Sequence, residues 1–127
     1  MSNVTASHAA YRRGTVLAAT PGELVVLLYD GARRFLRQAV VAMREGEVER
    51  AHNTLRYGER ILRQLDGTLD FEQGDLPQQL HAIYTFCLTT LNAARISRDT
   101  SKVEEVIELL DELRDAWDQV VAEVERG

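Results

Sequence analysis

Residues 10–36 read AYRRGTVLAATPGELVVLLYDGARRFL, and the middle of this stretch decides the fold. Thr20 carries the short hydroxyl side chain of a good N-cap. Pro21 sits where a missing N–H costs nothing, and Glu23 falls three residues after the cap. Thr20-Pro21-Gly22-Glu23 is therefore a capping box with proline in the first turn, and a helix begins here. Leu24 to Tyr29 then run without a polar residue. A surface helix needs one apolar stripe. This run goes round the whole circumference, so the helix must be covered on more than one side.

Outward from that start, helical periodicity continues to the end of the chain. The first helix is expected over 20–45, with Leu24, Leu28, Ala32, Phe35, Ala39 and Met43 on its main stripe and Leu27, Gly31 and Leu36 widening it. Gly46 ends it. The second, over 48–69, carries Val48, Ala51, Leu55, Gly58, Leu62, Leu65 and Leu69 at alternating steps of three and four, a heptad pattern. The third, over 76–98, opens on Asp75, with Pro77 in its first turn and Gln78 closing a second capping box; Leu80, Tyr84, Cys87, Leu91 and Ala94 form its stripe. The fourth, over 100–125, is capped by Asp99 or Ser101. Its stripe is Val106, Leu110, Leu113, Trp117, Val120 and Val124, and acids from Glu104 to Asp118 take the outer face. Helices of similar length with short connections pack as antiparallel neighbours. The expected fold is all-α: an antiparallel up-down four-helix bundle forming one domain over 1–127. Residues 1–10 are read as a mobile tail and 11–19 as a short N-terminal cap segment.

Composition sets the class. The chain is 45% apolar and 28% charged, ordinary for a globular protein. No apolar run approaches the ~18 residues of a membrane span, so no membrane insertion is expected, and the N-terminus lacks the pattern of a signal peptide. One cysteine, Cys87, cannot form an internal disulfide, which fits a reducing compartment. The net charge of −5 is unevenly spread: residues 1–63 hold ten arginines against six acids, and residues 64–127 hold five basic residues against fourteen acids. A nucleic-acid-binding chain needs a dense basic face. The simpler reading is a basic helix lying beside an acidic one within the same fold, and no nucleic-acid partner is expected.

Catalytic patterns are weak. Glu49 and His52 match the Glu-x-x-His spacing of di-iron carboxylate bundles, but those sites need a second such pair and two further inward glutamates. His81 has Gln78 three residues before it, and His8 lies in the tail. Cys87 sits on an apolar stripe with no histidine at a helical neighbour position, which is the setting of a small buried hydrophobe. No phosphate-cradling glycine loop or nucleophile elbow is present. No metal ligand set, cofactor or catalytic residue is assigned. A metal-binding carboxylate-bundle enzyme is one alternative to a binding protein, and a self-associating helical adaptor is another.

Apolar residues exceed what one stripe per helix needs. Val25, Val26 and Leu27 lie off the first stripe, Ile83, Phe86 and Leu88 off the third, and Val103, Ile107 and Val121 off the fourth. Either a wide bundle buries them, or they line a groove for another amphipathic helix.

At these residues the sequence resembles the FliS family of flagellin-specific export chaperones. The resemblance runs through Ala10-Tyr11, Ala18-Ala19-Thr20-Pro21, Leu24, and Leu28-Tyr29-Asp30-Gly31. It continues at Tyr84-Thr85-Phe86, Arg98-Asp99, Val103-Glu104-Glu105-Val106 and Arg114-Asp115-Ala116-Trp117, covering Ala10 to Val124. It implies a non-catalytic, cytoplasmic protein. Such proteins bind the disordered C-terminal segment of flagellin, prevent premature polymerisation and aid delivery to an export-gate protein of the flagellar type III system. A homodimer is left open. Tyr11 maps to the tyrosine that the family uses near the groove and in gate docking. Tyr11, Leu24, Leu27, Leu28, Phe86 and Ile107 are the expected client contacts, and Tyr11 is also the expected gate contact. Thr20, Pro21 and Gly31 are read as structural, and Trp117 as core. The chain departs from the family pattern at Thr89-Thr90, Asn92, Ala94-Arg95 and His8.

Overall fold

The computed structural model of the chain describes residues 21–126, where the periodicities become four helices. These are α1, Pro21–Arg44; α2, Val48–Gly67; α3, Leu76–Ser97; and α4, Thr100–Arg126. The tail at 1–10, the cap segment at 11–19 and the expected N-cap Thr20 lie outside the described residues.

Local chemistry sets the turns. Gly46 ends α1 at φ 73°, a left-handed conformation open to glycine. Its N–H donates to the Met43 carbonyl at 3.3 Å, and the next N–H, of Glu47, donates to Ala42 at 2.9 Å. This is a Schellman stop. α2 ends two residues earlier than the periodicity suggests, where the Thr68 hydroxyl donates to the Leu65 carbonyl at 2.6 Å. The second capping box is a correction. Asp75 itself takes helical angles, φ −84° and ψ −23°, and makes no side-chain cap bond. Its backbone carbonyl accepts from Gln79 instead. At α4 the cap is Asp99, whose Oδ1 accepts from the Ser101 N–H at 2.9 Å and the Ser101 hydroxyl at 2.6 Å.

α1 packs against α2 and α4, and α3 packs against the same two from the far side. The helices therefore form a ring in chain order, an antiparallel up-down bundle, and one core draws residues from all four. The closest approach is between α1 and α2. A Cβ built on Gly58 would lie 2.7 Å from Leu36 Cδ2, and one on Gly31 would lie 3.3 Å from Ile61 Cδ1. Small residues here let the two backbones draw together.

The core matches the expected stripe on α3, where Leu80, Tyr84, Cys87, Leu91 and Ala94 are all buried. On α1 it is rotated. Val26, Tyr29, Leu36 and Val40 are buried, whereas Phe35 and Met43 are half-buried. The cause is that α2 and α4 grip α1 from two sides, so its buried arc centres on Leu36. On α4, Val103, Val106, Ile107 and Leu110 are buried, while Leu113 and Trp117 are half-buried and packed against the core. Val48, the first residue of α2, and Val120, in the last two turns of α4, are exposed.

Candidate binding surface

A ring of four helices has four outer seams, and here each has its own chemistry. The α1–α4 seam is ionic. Arg33 pairs with Asp30 at 2.9 Å and with Asp111, and Arg37 reaches Asp111 at 3.5 Å. Arg114 pairs with Asp30 at 3.1 Å, and Arg44 pairs with Glu104. The uneven charge of the sequence is thus a basic helix lying against an acidic one. These partly exposed pairs fix orientation more than they stabilise.

The α2–α3 seam is basic and holds one buried charge. Glu59 is 6% exposed and pairs with Arg95, with Arg63 at 3.7 Å. Arg95 also donates to Asn92 Oδ1 at 3.3 Å. Of two departures from the family pattern, Arg95 thus neutralises Glu59 and Asn92 accepts from the same guanidinium.

The other two seams are apolar. On α1, Leu24, Leu28, Gly31 and Phe35 form one row at helical spacing. Gly31 faces Ile61 of α2, and Phe35 stacks on Tyr57 of α2 with centroids 5.2 Å apart. Leu24 and Leu28 thus lie along the α1–α2 seam, half-buried, and Leu27 stands beside them further from the core. On α3, Phe86 lies half a helical turn from Arg95, which reaches α2. That places Phe86 on the side nearest α4, where it is 47% exposed beside half-buried Ile83. On α4, Leu109 and Leu113 occupy the face turned away from Asp111 and Arg114, which reach α1. Both are half-buried, with exposed Val120 two turns beyond Leu113. These residues make an α3–α4 strip diagonally opposite the α1–α2 strip.

The expected contacts are therefore not brought to one place. Leu24, Leu27 and Leu28 line one strip, and Phe86 lines the other. Ile107 is corrected: it is 8% exposed and belongs to the core. Its row beside Val103 looked surplus only because α4 is flanked by both α1 and α3 and buries a wide arc. Tyr11 lies outside the described residues. Leu109 and Ile61 were missed, although Leu109 was visible as a helical neighbour of Val106 and Leu113.

Between the strips, Tyr29 of α1 and Tyr84 of α3 meet across the core. Their hydroxyls are 2.5 Å apart and their ring centroids 6.4 Å. Burial pushes both phenols above their ordinary range. Beside them burial pushes the Cys87 thiol up to about 12, so it stays protonated at neutral pH and is no nucleophile. Glu49 and His52 are both exposed. His81 is held by Asp66 at 2.6 Å and meets the Phe71 ring edge-on. Among the described residues no group of three or more His, Cys, Asp or Glu is placed to hold a metal ion.

Compared with known proteins, residues 2–124 match the family model described as Flagellar protein FliS. The chain belongs to the FliS family. It is 33% identical to the flagellar secretion chaperone FliS of Bacillus subtilis (strain 168) over 114 residues, covering 90% of this chain and 85% of that one. It is 30% identical to the FliS of Campylobacter jejuni over 112 residues, covering 87% and 88%. A crystal structure described as a flagellar chaperone from bacteria matches with a TM-score of 0.76 over 92% of this chain and 98% of that one; at 16% identity this likeness shows the bundle fold. These FliS relatives are named as chaperones, and the chain is a flagellar chaperone of this family, not an enzyme.

Proposed function

We propose that this FliS-family protein binds the disordered C-terminal segment of flagellin in the cytoplasm, keeps it from polymerising early and aids its delivery to the flagellar type III export gate. The observation that carries the reading is the pair of apolar strips on opposite seams, separated by two charged seams. A single preformed helix would cover one strip and leave the other in water. A segment that is disordered until it binds can fold on one strip, cross the end of the bundle and fold on the second. Its ordering cost of ~2–5 kcal/mol is offset by the apolar area buried on both. Leu24, Leu27 and Leu28 serve as anchors on the first strip and Phe86 on the second. Tyr11 contributes to the client site and to gate docking. Residues 21–126 contain no helix long and apolar enough to cross a membrane.

Calorimetry with the C-terminal ~40–50 residues of the cognate flagellin tests this, with circular dichroism to follow the client's helicity. Binding is expected with a large negative heat-capacity change and a gain of helix. Leu27→Asp and Phe86→Asp are each expected to weaken binding about tenfold or more, because each places a charge against a buried client side chain. Both positions are accessible, so both variants should keep the fold. Binding unaffected by either change would remove the two-strip reading. A change in oligomeric state without any client effect would favour the self-associating adaptor.

A further inference from the structure

The α2–α3 seam carries a built surface that the client reading leaves unused. At the end of the bundle near the α1–α2 turn lies a cleft of about 420 Å³. Its apolar lining is Met43 of α1 and Ala51 and Leu55 of α2, with exposed Val48 beside them. Arg95 of α3, Arg98 just past its end and His52 of α2 also line it. Sharing His52 and Arg95, it continues into an open depression of about 590 Å³ lined by Arg56, Arg60 and Arg63.

The charges along this furrow are unevenly matched. Glu59 is taken up by Arg95 and Arg63, and Glu47 at the cleft mouth by Arg50 at 3.4 Å. Arg56 and Arg98 have no carboxylate partner among the described residues, and Arg60 lies over the Tyr57 ring, 5.7 Å from its centroid. An apolar lining therefore opens directly onto unpaired guanidinium groups, in a chain whose net charge is −5.

We propose that this furrow docks an acidic segment of a second protein. Such a segment seats an apolar side chain in the Val48–Leu55 cleft and lays carboxylates along Arg98, Arg56 and Arg60. Guanidinium groups pair with carboxylates through two parallel N–H bonds, and the apolar anchor supplies buried area. A nucleic acid would use the arginines but leave the apolar lining uncovered. A second copy of this chain offers exposed Glu105, Glu108 and Glu112 on α4. That row lies across the bundle from α2, so self-docking would run head to tail, into a ring or a filament, and not as a two-fold dimer. The furrow follows the α2–α3 seam and only Arg60, over Tyr57, borders an apolar strip, so the proposal does not depend on the flagellin reading.

Fluorescence anisotropy tests it with a labelled helix-forming peptide of about 16 residues, carrying leucine on one stripe and glutamate beside it. Controls are the same peptide with glutamine for glutamate and a mixed-sequence single-stranded RNA. The acidic peptide is expected to bind in the micromolar range and to weaken as salt is raised. The double variant Arg56→Glu/Arg60→Glu and, separately, Val48→Asp are each expected to weaken it about tenfold or more. All three positions are exposed, and a thermal melt confirms the fold of each variant. Binding of the flagellin segment should be unchanged by Arg56→Glu alone, because Arg56 lines the furrow and Arg60 borders the α1–α2 strip through Tyr57. Equal affinity for the glutamine peptide, tighter binding of the RNA, or self-association abolished by Arg56→Glu/Arg60→Glu would each overturn the proposal.

Discussion

Leu36→Ala is expected to lower the unfolding free energy by about 3 kcal/mol, and to reverse the sign of a second change, Gly58→Ala. Leu36 is fully buried at the closest approach of α1 and α2. A methyl on Gly58 would stand 2.7 Å from Leu36 Cδ2 and 3.1 Å from Cγ. Leu36 cannot swing away, because the core surrounds it. Gly58→Ala therefore adds strain of ~1–3 kcal/mol, which outweighs the ~1 kcal/mol that alanine contributes over glycine within a helix. Once Leu36 is alanine, the colliding atoms are gone. The next contact, the Ala32 carbonyl oxygen at 3.7 Å, is ordinary van der Waals distance. In that background Gly58→Ala keeps the helix gain, refills part of the cavity and becomes stabilising. Urea unfolding of the four proteins measures the coupling, expected at about 2 kcal/mol. The same sign in both backgrounds would mean that this pair does not set the α1–α2 spacing. The spacing bears on function, since it fixes how far Leu24 and Leu28 stand clear of Ile61 on the α1–α2 strip.

The parts of the fold legible in the sequence are those where one helix face carries one kind of residue. α3 shows this: five residues at steps of three and four, all buried, with polar residues between most of them. α2 behaves likewise from Ala51 to Leu65, where heptad spacing and Gly58 marked the face turned to α1. The failure on α1 has a definite cause. Six consecutive apolar residues from Leu24 to Tyr29 announce burial but carry no phase, so the face drawn on α1 caught Ala32, Leu36 and Ala39 but left out Val26, Tyr29 and Val40 and centred too near Leu28 and Phe35. On α4 the acids marked the solvent side, yet nothing local showed that α1 would cover Ile107. Charge asymmetry foretold the ionic α1–α4 seam because opposite charges concentrate on two helices. The candidate site was harder. Leu24 and Phe86 were both recognisable as surplus apolar residues, but their lying on opposite seams follows from the ring order of the helices, a long-range property. Asp75 shows the limit of capping rules: the side chain suits a cap, but its backbone is already helical.

Stability should be level from pH 7 to about 8.5 and then fall steeply, because three buried acids sit where water cannot reach them. In the unfolded chain the Cys87 thiol titrates near pH 8.5 and the Tyr29 and Tyr84 phenols near pH 10. In the folded protein burial raises all three, the thiol to about 12. Above the unfolded values the unfolded chain has released protons that the folded chain still holds. Unfolding then releases protons, so rising pH favours it: the stability present below the unfolded pKa is lost as pH climbs toward the folded one. Each group contributes a slope of about 1.4 kcal/mol per pH unit, so the limb should begin with Cys87 alone and steepen toward about 4 kcal/mol per unit above pH 10. Interference is small, since Lys102 is the chain's single lysine and arginines do not titrate in this range. Urea midpoints followed by circular dichroism from pH 7 to 11 would trace the limb. Cys87→Ala should move its onset up to about pH 10 and remove about a third of the final slope. Tyr29→Phe/Tyr84→Phe should leave only the thiol's share. At neutral pH Tyr29→Phe alone should cost about 1–2 kcal/mol, because the Tyr84 hydroxyl is left buried without its partner, and adding Tyr84→Phe should recover part of that loss. Stability level up to pH 11 would show that these groups ionise without unfolding, and that the diagonal contact between α1 and α3 does not seal the core between the two apolar strips.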